Sequence, residues 1–341
     1  MSKKLTVGII FGGRSGEHEI SIISARSVME ATDKSIYNIK SIYIDKKGNW
    51  TIGNKLVEAS NALKDVDIAF PVLHGPYGED GTIQGLFEME DVPYVGAGVA
   101  SSAVAMDKQL SKDIFRSHEF HVADYIIIQK HEWDRSRQKI IRGIEQIIGY
   151  PNFVKPANLG SSVGISKVMG RNEIEEAIEQ AFLYDSKVLV EEAVKDAREI
   201  EVSVLGNEVP QASVCGEIIP SRDFYSYEAK YVDDKSELII PAKLSVETSN
   251  KIRETAIAAY KVVGISGMAR IDFLVQKDNN KIFLSEVNTI PGFTKISMYP
   301  KLWEATGLPY PKLIDKLIKL GLERYNSRRH LKADFPSKII I

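Results

Sequence analysis

Residues 267–288 read GMARIDFLVQKDNNKIFLSEVN, the pattern of two strands joined by a polar turn. Because side chains alternate between the two faces of a strand, Arg270 and Asp272 share one face of the first strand. Glu286 and Asn288 share a face of the returning strand in the same way. If the strands pair face to face, these four side chains form one polar patch among apolar neighbours. The sequence therefore predicts a hairpin with a guanidinium, two carboxylates and an amide on one face.

The oxygen atoms of this patch suit a hard divalent cation. Mg²⁺ and Mn²⁺ prefer carboxylate and amide oxygens, and water and substrate phosphates fill their remaining positions. An Asp and a Glu on a hairpin are also common surface groups, so Asp272 and Glu286 alone leave both interpretations open. The presence of Arg270, Asn288 and the adjoining TIPGFT segment (289–294) favours the cation site.

A second informative stretch is FVKPANLGSSVG, residues 153–164. Its small residues allow backbone N–H groups to approach phosphate oxygens closely, and Lys155 adds a positive charge. The loop is not a P-loop, because Gly-Lys-Ser/Thr before a helix is missing. It is not a dinucleotide fingerprint, because a strand rather than a helix follows. It therefore indicates either a phosphate loop of another kind or an ordinary Gly/Ser turn.

A third stretch, KVLVEEAVKDARE (187–199), places acidic residues beside a short apolar segment. Glu191, Glu192 and Glu199 are suited to accept hydrogen bonds from an adenine amino group or from ribose hydroxyls. Surface glutamates are common, so each one alone is equally compatible with a solvated face.

The whole chain has the composition of an ordinary globular protein, with 341 residues, 44% hydrophobic residues and a formal net charge of −2. At roughly 100–200 residues per domain, this length predicts two or three domains. Strand-length apolar runs alternate with helical stretches, which predicts a mixed α/β protein whose first third is an open parallel sheet. The charge balance argues against nucleic acid or a membrane surface as partner. The single cysteine, Cys215, is consistent with a cytoplasmic protein.

These stretches together resemble the ATP-grasp superfamily. Five further motifs are similar to those of the D-alanine–D-alanine ligase family and cover nearly the whole chain in the expected order: GGRSGEHEIS (12–21), LHGPYGEDGTIQG (73–85), AMDK (105–108), FYSYEAKY (224–231) and NTIPGFTKISM (288–298). The resemblance implies an α/β fold, with α+β character in the ATP-grasp part. It also implies three domains: an N-terminal open parallel sheet (1–103), a central ATP-grasp domain (104–194) and a C-terminal ATP-grasp domain with the metal site and a lid (195–341).

The function that this resemblance implies is ATP-dependent ligation of two D-alanine molecules through an acyl phosphate. The products are D-alanyl-D-alanine for peptidoglycan, ADP and phosphate. Two Mg²⁺ or Mn²⁺ ions and a homodimer are expected. D-Serine or D-lactate as acceptor is an alternative within the family. A nucleotide-binding regulatory protein without catalysis is an alternative from another class, but it has no need of an oxyanion-stabilising Arg270.

The resemblance also implies individual site residues. ATP is expected at Lys108, Lys155, Ser161, Ser162, Glu191, Glu192, Val194, Glu199 and Lys230, with Glu192 at a position where relatives carry lysine. The metal ligands are expected to be Asp272, Glu286 and Asn288. The amino acids are expected at Glu17, His74, Ser297 and Met298. The catalytic residues are expected to be Glu17, Ser161, Tyr231, Arg270 and Gly292.

Three of these expectations have plainer alternatives in the sequence alone. Glu17 follows the first strand, where an acidic residue often caps the next helix. His74 follows an apolar strand, where a histidine is often satisfied by backbone groups. The stretch Ser221–Lys235 is polar with three tyrosines, which fits both a lid that excludes water from the acyl phosphate and a simple surface loop.

Overall fold

The structure is a computed structural model that describes residues 4–220 and 236–332. Lys230 and Tyr231, together with the rest of the expected lid (221–235), lie outside the described residues. Within the described part of the chain, no helix is both long enough and apolar enough to span a membrane.

The first sheet has five strands in the order β4-β3-β2-β1-β5. Strands β1, β2 and β5 are parallel, which confirms the predicted open parallel sheet, while β3 and β4 add an antiparallel edge. The strands are β1 (Leu5–Gly12), β2 (Tyr37–Ile44), β3 (Trp50–Ile52), β4 (Lys55–Val57) and β5 (Ile68–Val72). The helices up to residue 117 are, in chain order, α1 (His18–Ala31), α2 (Ala59–Leu63), α3 (Thr82–Met89), α4 (Val99–Met106) and α5 (Lys108–Ser117).

The second sheet is antiparallel, with the order β6-β9-β7-β8. Its strands are β6 (Tyr125–Gln129), β7 (Asn152–Pro156), β8 (Ser166–Val168) and β9 (Lys187–Glu192). Helices α6 (Lys130–Ile147) and α7 (Arg171–Ala181) bury Trp133, Ile144 and Ile178 against it. The Gly/Ser loop predicted after Lys155 connects β7 to β8, so it lies at the end of a hairpin in this sheet.

The third sheet is also antiparallel, with the order β12-β11-β10-β13-β14. Its strands are β10 (Ala197–Gly206), β11 (Gln211–Ile219), β12 (Glu237–Ile239), β13 (Gly267–Gln276) and β14 (Ile282–Asn288). Helices α8 (Val246–Val262), α9 (Met298–Ala305) and α10 (Tyr310–Arg329) complete the described chain. Arg270 pairs with Asn288 and Asp272 with Glu286, so the predicted hairpin is confirmed in its register.

Helix α10 lies against the first sheet although the two are far apart in sequence. Leu313 and Leu317 of α10 are buried in one apolar cluster with Val7 of β1 and Phe70 of β5. Burying such side chains contributes about 1.5–3 kcal/mol each. This packing joins α10 to the first sheet.

Candidate active site

Loops from all three sheets meet at one polar cavity. Its lining combines groups that sequence motifs far apart in the chain predict: Glu17, His74, Gly160, Ser161, Arg270, Glu286, Asn288, Gly292, Ser297 and Met298. The first two residues come from the first sheet, the next two from the β7–β8 loop, and the others from β13, β14 and the segment up to α9. Most of the expected substrate-binding and catalytic residues therefore share one site.

Arg270 is the best-anchored polar group of this cavity. Its Nε and Nη2 donate to the two carboxylate oxygens of Asp272, each at 2.7 Å, and Nε lies 3.0 Å from Oε2 of Glu201. Burial alone would lower the pKa of Arg270, but the charges of Asp272 and Glu201 raise it well above its ordinary value. Nη1 makes no hydrogen bond within residues 4–220 and 236–332. The guanidinium is therefore fixed in place at the wall of the cavity.

The residues expected to hold a metal lie on facing positions of β13 and β14. Asp272 pairs with Glu286, and Asn288 Nδ2 donates to Asp272 Oδ2 at 3.0 Å. The set offers two carboxylates and an amide, the hard oxygen donors that Mg²⁺ and Mn²⁺ prefer. Because Glu286 also lines the neighbouring cleft beside Lys155, a cation here would lie next to bound phosphates. The donor set fits the expected ions.

A larger cleft of about 790 Å³ opens between the second and third sheets. This volume is within the range of pockets that bind small ligands. It brings together most of the residues expected for ATP: Lys155, Ser162, Glu191, Glu192, Val194 and Glu199. Glu286 lines both this cleft and the polar cavity, so the two meet at the β13–β14 hairpin.

Two residues expected to bind ATP, Lys108 and Glu192, form side-chain hydrogen bonds to nearby backbone groups. The Nζ of Lys108 donates to the backbone carbonyl of Leu159 at 2.5 Å, so Lys108 braces the β7–β8 loop. The Oε1 of Glu192 accepts from the backbone N–H of Asp124 at 3.1 Å, and the Glu192 N–H donates to the Asp124 carbonyl at 2.9 Å. The Glu192 side chain is thereby tied to the start of β6.

Glu191 has an environment that its sequence position does not reveal. Its carboxylate forms ion pairs with Lys155 and with Lys112 of α5. Burial would raise the pKa of Glu191, but the two ammonium groups lower it to about 2. Lys112 lies four residues after Lys108 on an amphipathic helix, and its burial was not predicted.

A hydrogen bond joins the β7–β8 loop to the loop that follows β1. The Ser161 hydroxyl donates to Glu17 Oε1, which joins two of the three members of the expected Glu17–Ser161–Tyr231 network. Ser161 and Ser162 have φ values of 49° and 57°, in the left-handed region that non-glycine residues rarely occupy. Two consecutive residues in this conformation are typical of a functional loop that its surroundings hold in place.

The first sheet is linked to the segment after β14 by two side chains of the LHGPYGEDG motif. His74 Nδ1 lies 3.1 Å from the Ile290 carbonyl, and Nε2 lies 3.2 Å from Ser24 Oγ. Burial lowers the pKa of His74 and favours the neutral ring. Glu79, which was not predicted, accepts from the N–H groups of Gly75 at 2.8 Å and Ile290 at 3.2 Å. Burial beside Glu17 raises the pKa of Glu79 to about 8.

The segment that follows β14 ends at the start of α9. The N–H of Thr294 donates to Ser297 Oγ at 3.0 Å, and the Thr294 hydroxyl lies 2.8 Å from the same oxygen. A Cβ on Gly292 would lie 2.7 Å from Ser297 Oγ, so a larger residue there would force Ser297 to shift. The Met298 side chain is buried with Ile218 and Leu302, and its backbone N–H lies in the first turn of α9.

Two family models match successive parts of the chain. A family model described as D-ala D-ala ligase C-terminus matches residues 114–319, and its N-terminal counterpart matches residues 6–64 and 55–97. The chain belongs to the D-alanine–D-alanine ligase family. This confirms the resemblance that the motifs carry.

Members of the D-alanine–D-alanine ligase family match over nearly the full length. The D-alanine–D-alanine ligase of Clostridium acetobutylicum is 50% identical, over 96% of this chain and 100% of its own length. That of Chloroherpeton thalassium is 47% identical, over 96% and 99%. The solved D-alanine–D-alanine ligase of Coxiella burnetii has a TM-score of 0.84 at 37% identity, covering 96% of this chain and 97% of its own. The expected ATP-grasp fold is confirmed.

A second solved structure bears on the acceptor. The VanG D-Ala:D-Ser ligase of Enterococcus faecalis has a TM-score of 0.82 at 33% identity, covering 94% of this chain and all of its own. The curated relatives at 43–50% identity carry the name D-alanine–D-alanine ligase. The comparisons therefore favour D-alanine over the alternative acceptors.

Three residues of this D-alanine–D-alanine ligase family site were missed in the sequence. Glu201 lies between apolar residues of β10. It pairs with Asp272 because β10 is the strand next to β13, and the sequence alone does not give this strand order. Glu79 follows Gly78 in the GEDG part of its motif, a signal that the motif contains but that alone assigns no role. Lys112 carries no local signal beyond its place on the buried side of α5.

Proposed function

We propose that this chain joins two D-alanine molecules into D-alanyl-D-alanine, with conversion of ATP to ADP and phosphate. The observation that carries the proposal is the meeting of the nucleotide cleft and the amino-acid cavity at the β13–β14 hairpin. There Arg270, two carboxylates and the Glu17–Ser161 pair lie within one site, in a chain that belongs to the ligase family. The dipeptide is a building block of peptidoglycan.

The nucleotide would lie in the cleft between the second and third sheets. Lys155, Ser161 and Ser162 of the β7–β8 hairpin, together with Lys108 and Lys230, are suited to the phosphates. The base and ribose would contact Glu191, Glu192, Val194 and Glu199. Neutralising the phosphates is essential, because an anionic carboxylate must approach the γ-phosphate.

Asp272, Glu286 and Asn288 would hold two Mg²⁺ or Mn²⁺ ions at the end of this cleft. When bound, such ions neutralise developing phosphate charge and orient the transferred group. Arg270 remains attached to Glu201 as well as to Asp272, so a second carboxylate keeps it in position beside the metal ligands.

The chain's own side chains account for the remaining demands of the reaction. The Glu17 carboxylate would bind the ammonium group of the first D-alanine, and His74 would lie near the carboxylate of that D-alanine. That carboxylate attacks the γ-phosphate, which gives an acyl phosphate and ADP. The amine of the second D-alanine then attacks the acyl carbon, and the tetrahedral intermediate expels phosphate. Arg270 and the Gly292 N–H would stabilise its oxyanion, because fixed donors act most strongly where charge develops.

The second D-alanine would bind through its carboxylate at the start of α9. The Ser297 hydroxyl and the Met298 N–H are available there, and a helix N-terminus favours an anion. Ser161, Tyr231 and Glu17 would complete the network that connects the loops over the substrates. This arrangement keeps water away from the acyl phosphate, which would otherwise hydrolyse.

We further propose a division into units 1–103, 104–194 and 195–341, a homodimer and a cytoplasmic location. The three sheets support the division, since each expected unit contains one sheet. The buried single cysteine, Cys215, is consistent with a reducing compartment. Light scattering on the purified protein measures the mass of the assembly directly.

The function is tested by measuring phosphate release while single amino acids and hydroxy acids are offered in turn. We expect release that depends on D-alanine, with D-alanyl-D-alanine identified by mass spectrometry and no release with L-alanine. Nucleotide binding without D-alanine-dependent phosphate release would favour the regulatory alternative. Preferential formation of a mixed product with D-serine or D-lactate would instead correct the acceptor.

A further inference from the structure

Three charged side chains meet at the wall of the cleft between the second and third sheets. Lys112 of α5, Lys155 of β7 and Glu191 of β9 come from three different elements. One oxygen of Glu191 pairs with Lys112 and the other with Lys155. The side chains of Lys112 and Glu191 are only 3% and 4% exposed, and that of Lys155 is 17% exposed. A single buried carboxylate is therefore shared by two ammonium groups.

The two lysines differ in what they face. Lys155 lines the nucleotide cleft together with Ser162, whereas Lys112 is not among the residues that line it. Lys112 instead lies 5.8 Å from the ring centroid of Tyr125, at the start of β6. Glu191 is thus held between one lysine that can reach a ligand and one that is enclosed by protein.

This arrangement matters because a phosphate must compete with Glu191 for Lys155. A charge-assisted hydrogen bond in a buried site is strong. Without Lys112, the Lys155–Glu191 pair would have no net charge. Drawing Lys155 away from such a pair would leave a buried carboxylate without compensation, which is strongly unfavourable. With Lys112 on its other oxygen, Glu191 stays compensated when Lys155 turns to a phosphate.

We propose that Lys112 is a positioning residue that neutralises Glu191 and thereby keeps Lys155 available for the nucleotide phosphates. The inference rests on the proposed function, since it assumes that ATP binds in the cleft. Lys112 itself lines neither the cleft nor the polar cavity. Burial lowers the pKa of Lys112, and the adjacent Glu191 carboxylate opposes this change.

The test compares the affinities for ADP and for adenosine, because only ADP carries phosphates. Calorimetry on Lys112→Met should show ADP binding weakened about 10- to 100-fold, the equivalent of one hydrogen bond to a charged group. Adenosine affinity should stay at the wild-type value. Lys112→Gln, which keeps a donor for Glu191 but no charge, should show the same loss. Lys112→Arg, which keeps the charge, should bind ADP as the wild type does.

The double variant Lys112→Met/Glu191→Gln separates this role from a merely structural one. Removing the carboxylate breaks its ion pair with Lys155, so the ratio of ADP to adenosine affinity should return to the wild-type value. Any contact between Glu191 and the base affects ADP and adenosine equally, so it cancels in the ratio of the two affinities. Lys130→Met is a matched control, because Lys130 pairs with Asp134 on α6, outside the cleft.

The outcomes distinguish the two proposals. A wild-type protein that fails to bind ADP refutes the proposed function. A wild-type protein that binds ADP, with Lys112→Met and Lys112→Gln binding it equally well, refutes only the role of Lys112. Equal weakening of ADP and adenosine, or a double variant without recovery of the ratio, also refutes that role. Thermal unfolding of each variant checks that it is folded.

Discussion

Replacing Arg270 with lysine removes the planar fork while keeping the positive charge. In the structure the guanidinium makes two hydrogen bonds of 2.7 Å to Asp272 and one contact of 3.0 Å to Glu201. A single ammonium nitrogen cannot reproduce this geometry, and it also cannot present Nη1 to a substrate oxygen. The loss of one oxyanion donor lowers turnover by about 10²–10³ in comparable enzymes, or roughly 2.7–4 kcal/mol. We expect that loss in kcat for Arg270→Lys.

The assay measures D-alanine-dependent phosphate release together with ADP affinity. ADP affinity should change little, because the proposed role of Arg270 concerns the tetrahedral intermediate. Arg198→Lys is a matched control: Arg198 binds Glu217 through the same fork, at 2.7 and 2.6 Å, on the same sheet. Arg198 lines neither the cleft nor the cavity, so turnover of this variant should remain near that of the wild type.

Two results would refute this reasoning. If ADP affinity fell by the same factor as turnover, Arg270 would be a phosphate ligand or a structural group. If Arg198→Lys lost as much turnover as Arg270→Lys, the effect would come from general weakening of the sheet rather than from the oxyanion.

Three further predictions concern the metal, the acid stability and the acceptor. Glu286→Gln removes one anionic ligand, so it should weaken Mn²⁺ binding, measured by electron paramagnetic resonance, and lower turnover by orders of magnitude; near-wild-type turnover at limiting Mg²⁺ would contradict the ligand assignment. The pKa of Glu191 is lowered from 4.5 to about 2, so the unfolded state binds more protons between these values. Stability from Glu191 is therefore present above about pH 4.5 and lost as the pH falls through 2. Urea unfolding should show that the wild type has a larger free energy of unfolding than Glu191→Gln, and that this difference disappears as the pH falls through this window. A difference that stays constant with pH would refute the charge pairing. Tyr231→Phe should raise the share of D-lactate product when D-alanine and D-lactate compete near neutral pH, as measured by mass spectrometry; an unchanged product ratio would remove Tyr231 from acceptor selection.

The sequence was most informative where function depends on short-range pattern. Alternation along β13 and β14 predicts which side chains share a face, and this alternation alone is enough to predict the Arg270–Asp272–Glu286–Asn288 patch. The open parallel sheet and the position of the Gly/Ser loop after Lys155 also follow from local pattern.

Partners that come from other elements could not be predicted in this way. Glu201 reaches Arg270 only because β10, rather than another strand, neighbours β13. Lys112 reaches Glu191 only because the fold brings α5 beside β9, and Glu79 reaches Ile290 only because the first sheet meets the segment after β14. These contacts depend on strand order and on packing between units, which a single sequence does not display.

The contact between α10 and the first sheet has a consequence for how the chain is made. The apolar surface around Val7 and Phe70 is covered by Leu313 and Leu317, which a ribosome adds long after β5. At about 5–20 residues per second, roughly 10 to 50 s pass between the synthesis of β5 and that of α10. During this time the nascent sheet lacks its cover, which makes it a natural client for chaperones at the tunnel exit. Translational pausing before α10 would prolong that exposure and favour aggregation of the unfinished chain.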